Sequence, residues 1–134
     1  MNKPEIEKDL VIIGAGTAGL TAGIYASRLK LSTLILEDEI VGGQINDAYE
    51  VENYPGFMKV KGSDLTDIMK EQAIYAGAEI DEFDSIKKVD LADEFKIIET
   101  DSYRYKAKSV IVAAGAKKRP LPITEEKKYL SKGI

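Results

Sequence analysis

The chain predicts an α/β domain, a parallel sheet with flanking helices and a three-stranded antiparallel meander. Three observations carry that expectation. An apolar run, Leu10-Val-Ile-Ile13, breaks into Gly14-x-Gly16-x-x-Gly19 at the head of a helix-forming stretch. A second β-rich run, Thr33-Leu-Ile-Leu36, follows that stretch and ends in the acidic trio Glu37-Asp38-Glu39. A late apolar run, Ser109-Val-Ile-Val-Ala113, stops at Ala114-Gly115-Ala116.

Each element has a local reason. Asp9–Ile13 reads as a buried strand, and Thr17 to Lys30 as a helix with Leu20, Ile24 and Leu31 at helical spacing. Ala22, Gly23 and Ala26 let that helix approach its sheet closely. With Thr33–Leu36 this makes a β-α-β unit, which is right-handed with parallel strands. Ile40–Lys61 has no clean period and reads as a long loop, a length that marks a functional or disordered segment. Ser63 is placed to cap a helix carrying Asp64 and Asp67 in its first turn, favourable against the helix dipole. Leu65, Ile68, Met69 and Ala73 run along it and Gly77 ends it. Four short strands follow, at Ala78–Ile80, Ser85–Leu91, Phe95–Thr100 and Tyr103–Ala107, the last three joined closely enough for antiparallel hairpins. Ser109–Ala113 reads as a further, separate, buried parallel strand. Domain boundaries follow as 1–116 for the sheet domain and 117–134 for a polar connector with Pro120 and Pro122.

Composition narrows the chemistry. At 134 residues there is room for one domain with a real core. Hydrophobic content of 44% and charged content of 31% describe a globular chain. The net charge of −4, from 19 basic and 23 acidic residues interspersed, offers no basic stripe, so nucleic acid is not an expected partner. Without cysteine or histidine, these residues supply no disulfide, no thiolate nucleophile and no nitrogen or sulfur metal ligand. No membrane association is expected. Leu10 to Ser27 is uncharged and as long as the ~18 residues of a membrane-span candidate, but four glycines and two threonines interrupt it. A buried strand followed by a buried helix gives the same uncharged run. With no signal-peptide pattern, the expected location is cytoplasmic.

The three glycines of Gly14-x-Gly16-x-x-Gly19 do different work: a tight turn, close approach of backbone amides to phosphate, and close packing of helix on strand. A strand before the motif and a helix after it give the setting in which a helix N-terminus receives a dinucleotide pyrophosphate. Glu37, 23 residues after Gly14, stands where a carboxylate accepts hydrogen bonds from an adenosine ribose. It would repel a 2′-phosphate, which favours FAD or NAD over NADP. Gly42-Gly43-Gln44 and Asn53 admit two readings. They could be close-approach glycines and hydrogen-bonding amides along a flavin, or ordinary turn chemistry, since Pro55-Gly56 suits a type II turn with or without ligand.

The succession GxGxxG, Gly42-Gly43-Gln44, Glu52-Asn-Tyr-Pro-Gly56, a three-stranded insertion and Ala113-Ala-Gly-Ala116 resembles the N-terminal FAD half of thioredoxin reductase, over Asp9 to Ile134. Thioredoxin reductase belongs to the pyridine nucleotide-disulfide oxidoreductase family. The resemblance implies a Rossmann-like FAD-binding domain, with Ala15, Gly16, Thr17 and Ala18 at the pyrophosphate and Glu37 at the ribose. It implies Gln44 and Asn53 near the flavin and ribityl chain, Val89 meeting adenine through its backbone, and Gly115 in a second turn near the cofactor. Thr17 stands where the family commonly has Pro, and Ala114 where it has Thr; both positions act through backbone. In the family, the segment like Tyr129–Ile134 is followed by Cys-x-x-Cys, the NADPH domain and a returning stretch that completes the FAD site. The expectation is therefore an incomplete FAD domain. It takes part, in the complete enzyme, in electron flow from NADPH through FAD to a disulfide of thioredoxin or a similar protein. By itself it is expected to lack disulfide reductase activity and to self-associate through the edge of its last strand. An NAD-dependent dehydrogenase domain and a non-catalytic nucleotide-binding module are the alternatives.

Overall fold

A computed structural model describes residues 3–117, together with 119 and 122. The elements are β1 (Glu5–Ile13), α1 (Thr17–Arg28), β2 (Thr33–Glu37), a 3-10 turn at Gly43–Asp47, α2 (Gly62–Ala76), β3 (Glu79–Glu82), β4 (Ile86–Asp90), β5 (Lys96–Thr100) and β6 (Arg104–Val112). They form one sheet in the order β3-β2-β1-β6-β5-β4. The first four strands of that order are parallel, and β4 and β5 continue the sheet antiparallel. The expected α/β class with a three-stranded meander is what forms.

Strand alternation divides the core in two. Leu10, Ile12 and Ile35 meet Leu20 and Ala26 of α1 and Leu65, Met69 and Ala73 of α2. Val11, Leu34 and Leu36 face the other way and pack with Ile98, Tyr105 and Ala107 of the meander. The chain path explains how one sheet supplies both layers. β3 and β4 lie at opposite edges of the hydrogen-bonded order, about 24 Å apart if the sheet were flat. Yet Phe83–Ser85 alone join them, a link that reaches at most ~14 Å. The sheet must bend back on itself, which brings the meander over the second face.

Several elements depart from the sequence reading. Tyr103–Ala107 and Ser109–Ala113, expected as two strands, form one, β6, which pairs with β1 from Glu5↔Arg104 to Ile13↔Val112. Lys108, which lay between the two expected strands, is a strand residue, and it, Arg104 and Lys106 have partners across the ladder: Arg104–Glu5 at 2.6 Å, Lys106–Glu7 at 2.9 Å and Lys108–Asp9 at 2.7 Å. The same pairs draw the start of β1 back from Asp9 to Glu5. β5 accompanies β6 only as far as Ala107, so the end of β6 is not the buried strand its composition suggested: Ile111 and Val112 are exposed on the expected free edge.

Helix ends differ too. α1 stops at Arg28, so Leu31 lies past it, and Lys30 takes a left-handed φ of +65° in the turn. Lys61, not Ser63, occupies the α2 cap position, with no side-chain cap. A Cβ on Gly62 would lie 1.8 Å from the Ile45 carbonyl oxygen, so a backbone contact fixes this end of the helix. Gly77 ends α2 as expected, with a left-handed φ of +108°. The long loop is folded: Val51 and Val60 exchange backbone hydrogen bonds of 2.7 and 3.0 Å. Gly56 at φ +100° and the Phe57 N–H donating to the Tyr54 carbonyl at 3.2 Å make Tyr54–Phe57 a type II turn. Among the described residues, no helix is long and apolar enough to cross a membrane. Apart from 117, 119 and 122, the expected connector lies outside the described residues.

Candidate functional site

The chain leaves β1 toward β2 on one side and reaches β6 on the other, so the sheet has a topological switch point at β1. Ligands of open α/β sheets bind beyond the carboxyl ends of the strands at such a point. A cleft of about 1090 Å³ lies there, at the upper end of cofactor-site volumes. Its floor is Ile13 and Gly14 after β1, Leu36 and Glu37 at the end of β2, and Ala113–Ala116 after β6.

The three motif glycines separate by what a side chain would meet. At Gly14, φ is +101° and a Cβ would lie 2.3 Å from the Ala113 carbonyl oxygen. At Gly19 it would lie 1.8 Å from the Gly14 carbonyl oxygen. At Gly16 nothing lies within 4 Å. The first and third glycines are required by protein packing. The second leaves space bordered by the first turn of α1, whose cap residue it is, and that turn carries neither a side-chain cap nor an acidic residue. Thr17 and Ala18 line the cleft beside it. Uncapped amides at the positive end of a helix dipole suit phosphate. Lys117 is the one cation among the described lining residues, and it pairs with Glu39 at 3.7 Å, so backbone supplies the other favourable charge.

Glu37 is tied to the glycine turn. Its Oε2 accepts the Ala15 N–H at 2.8 Å and its Oε1 the Glu39 N–H at 3.1 Å. A carboxylate offers about four lone-pair sites, so acceptor capacity remains for ribose hydroxyls. Ala15 is fully buried with both backbone groups engaged, its carbonyl accepting the Gly42 N–H at 2.8 Å. It shapes the turn from behind and does not line the cleft. Gly42 (φ +116°), Gly43 (φ +59°) and Gln44 form the opposite wall, and Gln44 Nε2 donates to the Ala116 carbonyl, linking that wall to the turn after β6. Gly115, at φ +64°, lines the same mouth.

The structure thus gathers Gly14, Gly16, Thr17, Ala18, Glu37, Gly42, Gly43, Gln44 and Gly115 around one space. Gly19 supports it through packing. Asn53 is exposed in the long loop and Val89 is 41% exposed on β4, neither of them among the lining residues. Ile86, at the start of β4, is the residue of that strand that reaches the cleft, with Phe83 before it. Sequence reasoning missed both, together with Asn46 and Asp38. Asn46 donates to the Val41 carbonyl at 2.8 Å and accepts the Thr66 hydroxyl at 2.6 Å, locking the Gly42 wall to α2. Asp38, the middle of the acidic trio, accepts the Ile86 N–H at 3.1 Å. The signal for these residues is tertiary, since each acts on a partner far along the chain.

The residues present fit a dinucleotide such as FAD. The open side of Gly16 is a cradle that a Cβ would fill, the helix end offers amides, and Glu37 stands at the end of β2. Comparison with known proteins gives the family. The sequence model for pyridine nucleotide-disulphide oxidoreductase matches residues 8–134. The chain is 57% identical over 132 residues to the "34.2 kDa protein in rubredoxin operon" of Clostridium pasteurianum, covering 98% of this chain and 43% of that protein. It is 44% identical over 126 residues to thioredoxin reductase of Bacillus subtilis, covering 94% of this chain and 40% of that one. The crystal structure of Lactococcus lactis thioredoxin reductase superposes with a TM-score of 0.84 at 37% identity, covering 92% of this chain and 41% of that chain. This chain therefore spans about two fifths of the length of these relatives.

Proposed function

The chain belongs to the pyridine nucleotide-disulphide oxidoreductase family, and on that premise we propose that it is the FAD-binding part of a thioredoxin reductase-like flavoprotein. The observation that carries the proposal is the contrast among the glycines. Gly14 and Gly19 are filled by protein, whereas Gly16 faces open space at an uncapped helix end beside Glu37. In this reading the amides of Gly16, Thr17 and Ala18 bind pyrophosphate, and Glu37 accepts from the adenosine ribose and repels a 2′-phosphate. Gly42, Gly43, Gln44 and Gly115 border the more distant half of the cofactor. Asn53, through the loop, and Val89, through its backbone, remain proposed contacts that a closing of the cleft around its ligand would have to bring in.

FAD, when bound, supplies the hydride and electron chemistry that connects NADPH to a disulfide. The chain's own residues bind and orient. The 134 residues contain no cysteine, so they do not hold the disulfide, and the NADPH site is likewise proposed to belong to the rest of the enzyme. Thioredoxin or a similar disulfide protein is the proposed partner of the whole enzyme, in the cytoplasm, and these residues alone are proposed to be inactive as a reductase. Titration of the purified chain with FAD, NAD and NADP, followed by calorimetry and flavin fluorescence, tests the reading. Binding of FAD with exclusion of NADP is expected. Binding of NAD in preference to FAD would overturn it in favour of a dehydrogenase domain, and NADPH-dependent reduction of thioredoxin by the chain alone would overturn the inactivity.

A further inference from the structure

The side chains of the cleft oppose a diphosphate. Among the described lining residues, the carboxylates of Glu37, Asp38, Glu39 and Asp47 stand against the single ammonium of Lys117. How firmly each charge is held differs. Glu37 accepts the Ala15 and Glu39 N–H groups and Asp38 the Ile86 N–H, so backbone fixes both. Lys117 is held loosely. Its side chain is 93% exposed, that of Glu39 is 77% exposed, and 3.7 Å separates the paired atoms. An ion pair so open to solvent contributes little. The backbone leading to Lys117 adds reach. It is fixed at Ala113, whose N–H donates to the Ile13 carbonyl at 2.7 Å. The Ala113 carbonyl oxygen lies 2.3 Å from where a Cβ on Gly14 would stand, so this segment starts against the glycine turn. Beyond it Ala114–Lys117 is an exposed strap, with Gly115 at φ +64° and no atom within 4 Å of its Cβ position. Four residues reach at most ~14 Å, which keeps Lys117 within a strap's length of the first turn of α1.

We infer that Lys117 is an exchangeable charge clamp: when a dinucleotide occupies the cleft, its ammonium leaves Glu39 for the ligand's diphosphate, and the Ala114–Lys117 strap closes over the ligand. The inference rests on the dinucleotide reading, with the diphosphate at the first turn of α1. A diphosphate held on the amides of the helix end offers more charge and more acceptor oxygens than one solvated carboxylate, so the exchange runs toward the ligand. Glu39 is then a competitor and not a ligand contact. It keeps Lys117 at the mouth of the empty cleft, and every binding event has to displace it. The consequence has an unusual sign, because neutralising an acidic residue of the cleft wall should strengthen binding through a lysine that remains.

The test is affinity for FAD, NAD and ADP, with thermal denaturation, of the full chain, Lys117→Gln, Lys117→Arg, Glu39→Gln and the double variant Glu39→Gln/Lys117→Gln. Lys117→Gln should bind FAD and ADP about 10-fold more weakly, the low end of what a hydrogen bond to a charged group contributes. Lys117→Arg should retain affinity. Glu39→Gln should bind about 2- to 5-fold more tightly, the scale of an exposed ion pair. Most of that gain should vanish when Lys117 is already Gln, so the double-mutant cycle shows coupling. Every Tm should stay within about 3 °C of the parent, because both side chains are exposed. Unchanged affinity in Lys117→Gln, weaker binding by Glu39→Gln, or the same Glu39→Gln effect in both backgrounds overturns the inference. So does a Tm that falls together with affinity in Lys117→Gln, which would make the residue structural. Should the parent bind NAD and ADP but not FAD, with the same dependence on Lys117, the flavin reading fails while this inference stands. Binding of none of the three by the parent refutes both.

Discussion

Gly19→Ala tests the packing half of the glycine argument. The added Cβ would sit 1.8 Å from the Gly14 carbonyl oxygen and 2.9 Å from its carbon. Contacts under 3.0 Å are essentially never seen, so α1 must retreat by about 1.2 Å at its first turn. The clashing atoms are backbone, which has no rotamer to escape into. A gap of 0.5–1 Å already forfeits roughly a quarter to a half of a dispersion contact, and Leu20 and Ile12 lie fully buried at this junction. Overpacking of this kind costs ~1–3 kcal/mol, and the absence of a yielding side chain puts Gly19→Ala near ~3 kcal/mol. For a chain of this size that lowers Tm by about 10 °C, measured by circular dichroism or calorimetry. Gly16→Ala is the control. Its φ of −72° is open to any residue and its Cβ meets no atom within 4 Å, so its Tm should move by less than about 4 °C while FAD binding weakens. A Gly19→Ala Tm within 2 °C of the parent, or a Gly16→Ala loss as large as that of Gly19→Ala, refutes the division of roles.

Glu37→Gln should weaken FAD about 10- to 100-fold in a fluorescence titration, because hydrogen bonds to a charged acceptor are worth ~1.5–3 kcal/mol, and an unchanged constant counts against the ribose role. Thr100→Val leaves a buried oxygen of Asp84 without its donor and should cost ~1–3 kcal/mol in urea denaturation; a neutral outcome would mean that water replaces the hydroxyl. Alkaline stability should depend on Tyr105. Burial, then the hydrogen bond its hydroxyl donates to Asp81 at 2.8 Å, raise its pKa well above the ordinary tyrosine value. That stability is complete below the unfolded pKa of ~10 and is lost as pH rises toward the folded one. The Tm of Tyr105→Phe should therefore fall less than the parent's above about pH 10. The hydrogen bond from Lys108, and then that from the Ser32 N–H, hold the Asp9 carboxyl below the usual carboxylate value, and Asp9 raises Lys108 in return. The Asp9 contribution is present above the ordinary value of ~3.9 and disappears as pH falls through the lowered one, so the Tm difference between the parent and Asp9→Asn should shrink in acid. A difference constant down to pH 2 would show that the pair does not couple to folding.

The legible features were those written in adjacent residues. Leu10–Ile13 running into the glycine turn, the helix opening at Thr17, the type II turn at Pro55-Gly56 and the stop at Gly77 are local events, driven by the φ freedom of glycine and by periodicity. What was misread depended on partners distant in sequence. Lys108 fell in the gap between two expected strands because the Asp9 carboxylate that accepts it lies about a hundred residues earlier. Ser63 had the chemistry of a cap, but contact between Gly62 and Ile45 set where the helix begins. Gly42, Gly43 and Gln44 admitted two readings, and the structure puts them on the wall of the cleft, with Asn46 bracing them from behind.

The sequence by itself determined the β-α-β unit, the glycine turn and the acidic residue after the second strand, because these need only neighbours and short spacings. Only the tertiary structure decided which glycine faces open space, which side of the cleft Gln44 joins, and that Phe83 and Ile86 stand beside Glu37. Those relations arise because three residues between β3 and β4 force the sheet to bend, and a bend is a property of strand order, which no stretch of neighbouring residues encodes.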